Sequence, residues 1–202
     1  MKKVLFALVA MSLLFTACED GNDDFIKLKE VDDVCTMMDD LKLMEHCYEE
    51  YDVNKDGKVS MEEAAAVRDF TISTEISSIK GIEYFPNIEV LRITRAYYLT
   101  ECNLMNNKKL KSISLGYMDS YMLTNVSDLN FSKLTNLSHV YLGCVAIKNL
   151  NLANGNAIEV DLQWGRKVDT PPACTIWLKA GQVLDEDSTF DENYNYTIKY
   201  VD

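Results

Sequence analysis

The 202-residue sequence predicts an α+β chain: a β-rich solenoid of short repeats, with a helical cap at its N-terminal end and a β cap at its C-terminal end. Three observations lead there. Between residues 71 and 165, apolar side chains recur in the spacing apolar-x-x-apolar-x-apolar, twice in every copy. The stretch before them has helical periodicity on both sides of an acidic, glycine-containing loop. The stretch after Pro171 and Pro172 alternates apolar and polar residues as strands do.

At the start of the chain, Lys2 and Lys3 precede an apolar run from Val4 to Phe15 and then Thr16, Ala17 and Cys18. A run of this length and flank reads as a secretory signal over residues 1–17, too short for a transmembrane span. Small residues directly before a cysteine resemble the lipobox of bacterial lipoproteins, which implies cleavage before Cys18 and a lipid on its sulfur that anchors the chain to a membrane. Residues 18–30 form an acidic, flexible tether containing Glu19, Asp20, Asp23 and Asp24. An acidic cluster in that place is similar to the surface-export signature of Bacteroidota-type lipoproteins, implying an outward-facing position on the outer membrane. A plain solvated tether explains the same composition.

The formal net charge is −12, and removal of residues 1–17 takes away two lysines and no acid. Such a balance argues against nucleic acid as a partner, because phosphate binding relies on Lys and Arg releasing counterions. Divalent cations and neutral ligands are easier to accommodate. Beyond Cys18 the cysteines are Cys35, Cys47, Cys102, Cys144 and Cys174, none spaced as a zinc knuckle or a CxxC pair. Most should be buried thiols, and one disulfide remains open.

The helical cap is assigned to residues 31–70. Leu41, Met44, Tyr48 and Tyr51 recur at three- and four-residue spacing, and the segment from Met61 to Phe70 is rich in Ala and Glu, so each flank predicts a helix. Between them lies DVNKDGKVSMEE, residues 52–63. Asp52, Asn54, Asp56, Ser60 and Glu63 occupy loop positions 1, 3, 5, 9 and 12, with Gly57 at position 6, which is the spacing of an EF-hand calcium loop. Hard oxygen donors at alternate positions can wrap one ion, Lys58 offers its backbone carbonyl, and Glu63 can close the shell with both oxygens. Val59, at position 8, is expected to face a packing partner. The alternative is an acidic turn with no ion. A single loop with no second hand to open predicts a fastening rather than a sensor, with a Kd of about 10⁻⁴ to 10⁻³ M for an extracellular module.

Four copies of the apolar pattern begin at residues 79, 99, 126 and 147. Ile79, Ile82, Tyr84, Ile88, Leu91 and Ile93 align with Leu99, Cys102, Leu104, Leu110, Ile113 and Leu115. Then come Val126, Leu129, Phe131, Leu137, Val140 and Leu142, followed by Ile147, Leu150, Leu152, Ala157, Val160 and Leu162. This is the leucine-rich-repeat spacing, and stacking makes a continuous core from units that cannot bury an apolar side alone. Asn87, Asn136 and Asn156 precede the second motif in three copies, where an amide can satisfy backbone groups of the turn. The segment Gly116 to Thr124 is an insertion, expected to protrude. No helical stretch separates the strands, so turns and extended chain are expected on the convex side. With LTNLSHVYL at 134–142, the repeats resemble the internalin-like class. With the preceding loop, residues 48 to 165 resemble calcium-loop-bearing surface leucine-rich-repeat lipoproteins. Departures occur at Lys109, where an Asn is expected, and at Ala157, where a large apolar residue is.

Residues 166–202 read as the β cap, with CTIWLK at 174–179 and YNYTIKYV at 194–201 as strands. Asp185, Asp187 and Asp191 do not make a second calcium loop, since Phe190 stands where glycine is needed.

In each second motif the intervening residues should face solvent: Val90, Arg92, Thr94, Ser112, Ser114, His139, Tyr141, Glu159, Asp161 and Gln163. A mixed polar face with Tyr141, His139 and Trp164 suits a peptide or sugar, an aromatic ring stacking while polar groups orient the ligand. The candidate ligand-binding residues are Arg92, His139, Tyr141, Glu159, Asp161 and Gln163; a plain solvated face is the alternative. Catalysis is not expected. Glu159 and Asp161 are neighbours on an open strand face with nothing to separate their pKa values, and no nucleophile motif accompanies His139. The sequence therefore predicts a non-enzymatic, lipid-anchored surface protein that binds a protein or glycan ligand and carries a structural calcium site. A subunit of a surface assembly docked through its calcium-loop module is the second reading, weakened because dockerins carry two such loops. A glycan hydrolase using Glu159 and Asp161 is the third.

Overall fold

The computed structural model describes residues 28–116, 126–143, 146–163, 173–192 and 195–202. The architecture is a parallel β-solenoid of about five turns with few helices. None of the described helices is long and apolar enough to cross a membrane. Strands β1 (Asp69–Ile72), β2 (Val90–Ile93), β3 (Ser112–Leu115), β5 (His139–Gly143), β7 (Glu159–Gln163) and β9 (Thr189–Phe190) line up in that order as one six-stranded sheet. Strands β4 (Asp128–Asn130), β6 (Asn149–Asn151), β8 (Cys174–Lys179) and β10 (Tyr196–Val201) make a second sheet of four. Every pairing is parallel.

The repeat arithmetic explains the core. Of the aligned apolar positions, all but Cys102 and Ala157 are buried, most to under 2 % exposure. Ala157 is exposed, and its neighbour Ile158 is the residue that turns inward. The apparent departure in the fourth copy is therefore a one-residue shift, and the core keeps its full complement of large side chains. Alternation along each strand does the sorting, because successive side chains of a strand point to opposite faces.

Two expectations are corrected. The exiting helix is shorter than its composition suggests: α2 covers only Met61–Ala66, and the chain is already in β1 at Asp69. Val67, Phe70 and Ile72 repeat the spacing of the later coils and are buried, so winding begins inside the segment assigned to the cap. The extended chain expected on the convex side pairs into a sheet, the first motifs of the third and fourth copies forming β4 and β6. Finally, winding continues past Pro172: β8 pairs with β6, β9 pairs with β7, and β10 closes on β8.

Helix α1 (Leu41–Tyr51) begins at Asp40, whose Oδ1 accepts the N–H groups of Lys42 and Leu43, each at 3.0 Å. Its buried residues are Leu43 and Cys47, with Met44, Tyr48 and Tyr51 partly covered. Leu41, which the periodicity places on the inner face, is 71 % exposed. The helix lies on the first coil through Tyr51, Phe70 and Phe85, whose rings are 5.2–5.6 Å apart, and through Asp40 Oδ2, which accepts from Ser77 N–H at 2.6 Å. These contacts cover the solenoid end that would otherwise expose Phe70 and Phe85 to water.

Amides fasten coil to coil. Asn87, Asn136 and Asn156 each donate to a backbone carbonyl of the preceding turn, at Ala65, Lys108 and Thr135. Three further amides that spacing did not single out do the same from the interior. Asn107 donates to Ile82 and Phe85, Asn154 to Leu134 and Leu137, and Gln182 to Leu152. Ile82 O, Phe85 O, Leu134 O and Leu152 O each also accept a backbone N–H, so the side-chain amide adds a second hydrogen bond to each, worth about 1 kcal/mol.

Candidate functional site

The loop after α1 is built from its own oxygens. Asp52 caps the helix and is 6 % exposed. Its Oδ1 accepts from Asp56 N–H at 3.2 Å and its Oδ2 from Gly57 N–H at 3.0 Å. Asn54 Oδ1 accepts from the same Asp56 N–H at 2.9 Å, and Asp56 Oδ1 accepts from Lys58 N–H at 3.0 Å. The chain reverses through two left-handed residues, Lys55 (φ 59°) and Gly57 (φ 84°). A Cβ at Gly57 would meet nothing within 4 Å, so the demand for glycine there comes from the backbone angle alone.

Glu63 closes the loop. Its Oε1 accepts from Val53 N–H and Asn54 N–H at 3.0 and 3.2 Å, and its Oε2 accepts from Ser60 N–H and Ser60 Oγ at 2.9 and 2.8 Å. Ser60 in turn caps α2 by accepting from Glu63 N–H, which completes a capping box. Hydrogen bonds from Ser60, backbone first and then hydroxyl, hold the Glu63 carboxyl below its ordinary range. Val59 is wholly buried; Val34 N–H donates to its carbonyl at 2.8 Å, and its own N–H donates to Asp33 Oδ1 at 3.1 Å.

This donor set fits a hard cation in kind, with hard oxygens on Asp52, Asn54, Asp56, Ser60 and Glu63, the Lys58 carbonyl and the required turn all in sequence order. It fits less well in one respect. A carboxylate has about four lone-pair sites, and Glu63 uses all four on protein donors, so it would exchange some of them to hold an ion with both oxygens. Among the described residues no three His, Cys, Asp or Glu side chains are gathered around one point as a metal site.

The second candidate is the outward face of the six-stranded sheet. Parallel register places Asp69, Val90, Ser112, His139 and Glu159 in one row, and Thr71, Arg92, Ser114, Tyr141, Asp161 and Thr189 in the next. Gly143 and Gln163 are adjacent in a third. All six predicted ligand residues lie on this face, at least partly exposed. Several engage one another. Arg92 Nη1 is 2.7 Å from Asp69 Oδ2, and His139 Nε2 is 3.1 Å from Glu159 Oε2. Asp161 Oδ1 accepts from Thr189 Oγ1 at 2.6 Å and from the Gln163 amide. Asp69, Thr71 and Thr189 went unnoticed in the sequence. The spacing of Val67, Phe70 and Ile72 would have revealed the first two, whereas nothing marks the two-residue β9.

Where α1 crosses the first strand, a cleft of about 410 Å³ is lined by Lys42, Glu45, His46, Glu49, Thr71, Ser73 and Thr74. Thr71 also stands in the Arg92–Tyr141 row, so the cleft adjoins the sheet face. His46 packs edge-on to Tyr51 and Phe70, its Nε2 is buried with no described partner, and burial pulls its pKa down against the raising effect of Glu50 and Glu49. Cys18, Cys144, Trp164 and the insertion from residue 117 onward lie outside the described residues.

The fold and face define a parallel β-solenoid with a polar, outward-facing sheet. No protein-family model matches the chain, and no curated protein matches it.

Proposed function

We propose that the chain is a lipid-anchored, outward-facing binding protein of a bacterial outer membrane, which holds a protein or glycan ligand against its six-stranded sheet and carries one structural calcium ion in the 52–63 loop. The observation that supports this reading is the register row Thr71, Arg92, Ser114, Tyr141, Asp161 and Thr189, which sets an aromatic ring between a cation and a carboxylate on one rigid face. Strand-borne side chains at a 4.7–4.9 Å strand spacing form a preorganised array, so little ordering entropy is lost when a ligand docks. The pairs already on the face do not oppose binding. An exposed ion pair such as Arg92–Asp69 contributes about 0–1 kcal/mol, and a ligand carboxylate or hydroxyl can replace either partner at small cost. Tyr141 would stack on an apolar ligand surface, while Arg92, His139, Glu159, Asp161 and Gln163 would orient its polar groups.

Calcium would be held by Asp52, Asn54, Asp56, the Lys58 carbonyl, Ser60 and Glu63, tying the end of α1 to the start of α2. Because Val59 is bonded to the Asp33–Val34 segment, a stiffer loop would also stiffen the cap. Lipid on Cys18 would supply the membrane attachment, and the reading is of binding rather than catalysis. The test is a glycan and host-protein array probed with the protein lacking residues 1–18, repeated with His139→Ala and Tyr141→Ala. A hit lost in both variants supports the face; a hit retained in both places binding elsewhere.

A further inference from the structure

The outer face of the second sheet carries a ladder of amides that ends on an indole. Leu129, Leu150 and Ile176 are buried in the core, so the residues on either side of them point outward. Parallel register sets Asp128, Asn149, Thr175 and Thr197 in one outward row and Asn130, Asn151, Trp177 and Lys199 in the next. All eight are at least partly exposed.

The amides of the second row are fixed by their oxygens and keep their nitrogens. Asn130 Oδ1 accepts from Ser132 N–H at 3.1 Å and from Ser132 Oγ at 2.8 Å, and Asn151 Oδ1 accepts from Ala153 N–H at 3.1 Å. Asn103 repeats the turn in the second copy, its Oδ1 accepting from Met105 N–H at 3.2 Å. Among the described residues, none accepts a hydrogen bond from the Nδ2 of these three. In the first row Asp128 accepts from Ser127 Oγ and, at 2.6 Å, from Asn149 Nδ2. Those bonds, the serine's first, hold its carboxyl below the ordinary range and keep it an acceptor. Trp177 is half-buried, with Lys199 Nζ over its ring, 5.1 Å from the centre.

The ladder does not stop at β4, the edge strand of this sheet. Beside it lies a cleft of about 360 Å³, lined by Glu101, Asn103, Ser127, Asp128 and Asn130 among others. A second cleft, of about 250 Å³, shares Glu101 and Asn103 and reaches Lys80 and Glu83. Clefts and ladder form one polar track along the solenoid, crossing strands about 4.7–4.9 Å apart.

We propose that this track binds a neutral, linear glycan, with one sugar ring stacked on Trp177 and the hydroxyls of its neighbours on Asn151, Asn130 and Asn103. Strand spacing is close to the length of one pyranose unit, so successive sugars meet successive amides. Three features select this ligand class. The indole offers a flat platform to the C–H face of a sugar, while Lys199 holds its other side. Amide donors beside the carboxylate acceptors Asp128 and Glu101 match hydroxyl groups, which donate and accept at once. The charge and polarity exclude the competitors: Glu83, Glu101 and Asp128 repel a polyanion, and the two rows have no apolar side chain but Trp177 to form the core of a protein interface. Strands and turns fix these groups before the ligand arrives, so little ordering is needed. The track lies on a different sheet from Tyr141 and His139 and does not depend on the reading of that face.

The test uses the full chain in a zwitterionic, sugar-free detergent, titrated by calorimetry with cellohexaose, laminarihexaose, maltohexaose and xylohexaose. The expected result is saturable binding of at least one of the four at millimolar concentration or below. Trp177→Ala and Asn130→Ala/Asn151→Ala should each weaken it about tenfold or more, and Tyr141→Ala should leave it unchanged. No binding of any of the four, or binding lost in Tyr141→Ala and kept in Trp177→Ala, overturns the proposal. Fluorescence gives a second measurement that needs no change on the track. Trp164→Phe leaves Trp177 as the sole tryptophan, and its emission should change in step with saturation. Emission that stays constant while the glycan saturates the protein contradicts stacking on Trp177.

Discussion

Replacement of Asn107 measures how strongly the interior amides bind one coil to the next. The residue is completely buried, and its Nδ2 donates to Ile82 O at 2.9 Å and to Phe85 O at 3.1 Å. Its Oδ1 has no described partner. In Asn107→Ala, two hydrogen bonds disappear at about 1 kcal/mol each. The stranding penalty is modest, because Ile82 O keeps the Phe85 N–H and Phe85 O keeps the Ile88 N–H. The space left adds about 1 kcal/mol, and removal of the unpartnered oxygen returns about 1 kcal/mol, so the net loss is about 2 kcal/mol. Leu134 occupies the corresponding place one coil further on, with the same backbone bonds on either side. Asn107→Leu should therefore fill the space and cost only about 1 kcal/mol. Asn107→Asp sets a carboxylate against two carbonyl oxygens and costs more than either, about 3 kcal/mol or above. Urea unfolding at unchanged slope reads all three as shifts in midpoint. An aspartate variant no less stable than the leucine variant would refute the role given to the amide nitrogen.

Calcium at ten times its Kd should stabilise the protein by about 1.4 kcal/mol, a rise of roughly 3–6 °C in melting midpoint, with no rise in Glu63→Gln; equal midpoints in calcium and in chelator would remove the ion from the account. Asp40→Ala removes the α1 cap and the two bonds to Ser77, so denaturant unfolding should show a loss of about 2–3 kcal/mol. A loss under about 0.5 kcal/mol would show that α1 is held by its aromatic contacts alone. Burial lowers the His46 pKa, so below about pH 6.5 the unfolded chain binds more protons at this site and stability falls as pH falls. Melts between pH 7 and pH 5 should show a smaller acid-side loss in His46→Phe than in the parent chain, and an identical loss in both would contradict the burial effect.

Inward and outward sets of the six-stranded sheet were legible because period-two alternation needs no knowledge of neighbours. Ile88, Leu91 and Ile93, with their counterparts in the next two copies, could only be core, and Arg92, Ser114 and Tyr141 could only be face. Helix register was less legible. Leu41 fits the apolar stripe by spacing, yet Leu43 and Cys47 take the inner positions, because docking on Phe70 and Phe85 rotates α1 to bring Tyr51 inward. The short α2 misled for a related reason: Ala and Glu favour a helix locally, but Val67, Phe70 and Ile72 are buried in the solenoid core, the last two as part of the first strand.

Sequence by itself determined the winding of this protein, the donors of the 52–63 loop and the identity of most of its polar face, since each is a matter of spacing along one chain. Only the tertiary structure decided what those residues meet. Arg92 on Asp69, His139 on Glu159, Thr189 on Asp161 and Val59 on Val34 are contacts between segments separated by 20 or more residues. Such pairings depend on the register of one coil on another and on where the cap docks, and no local pattern encodes either.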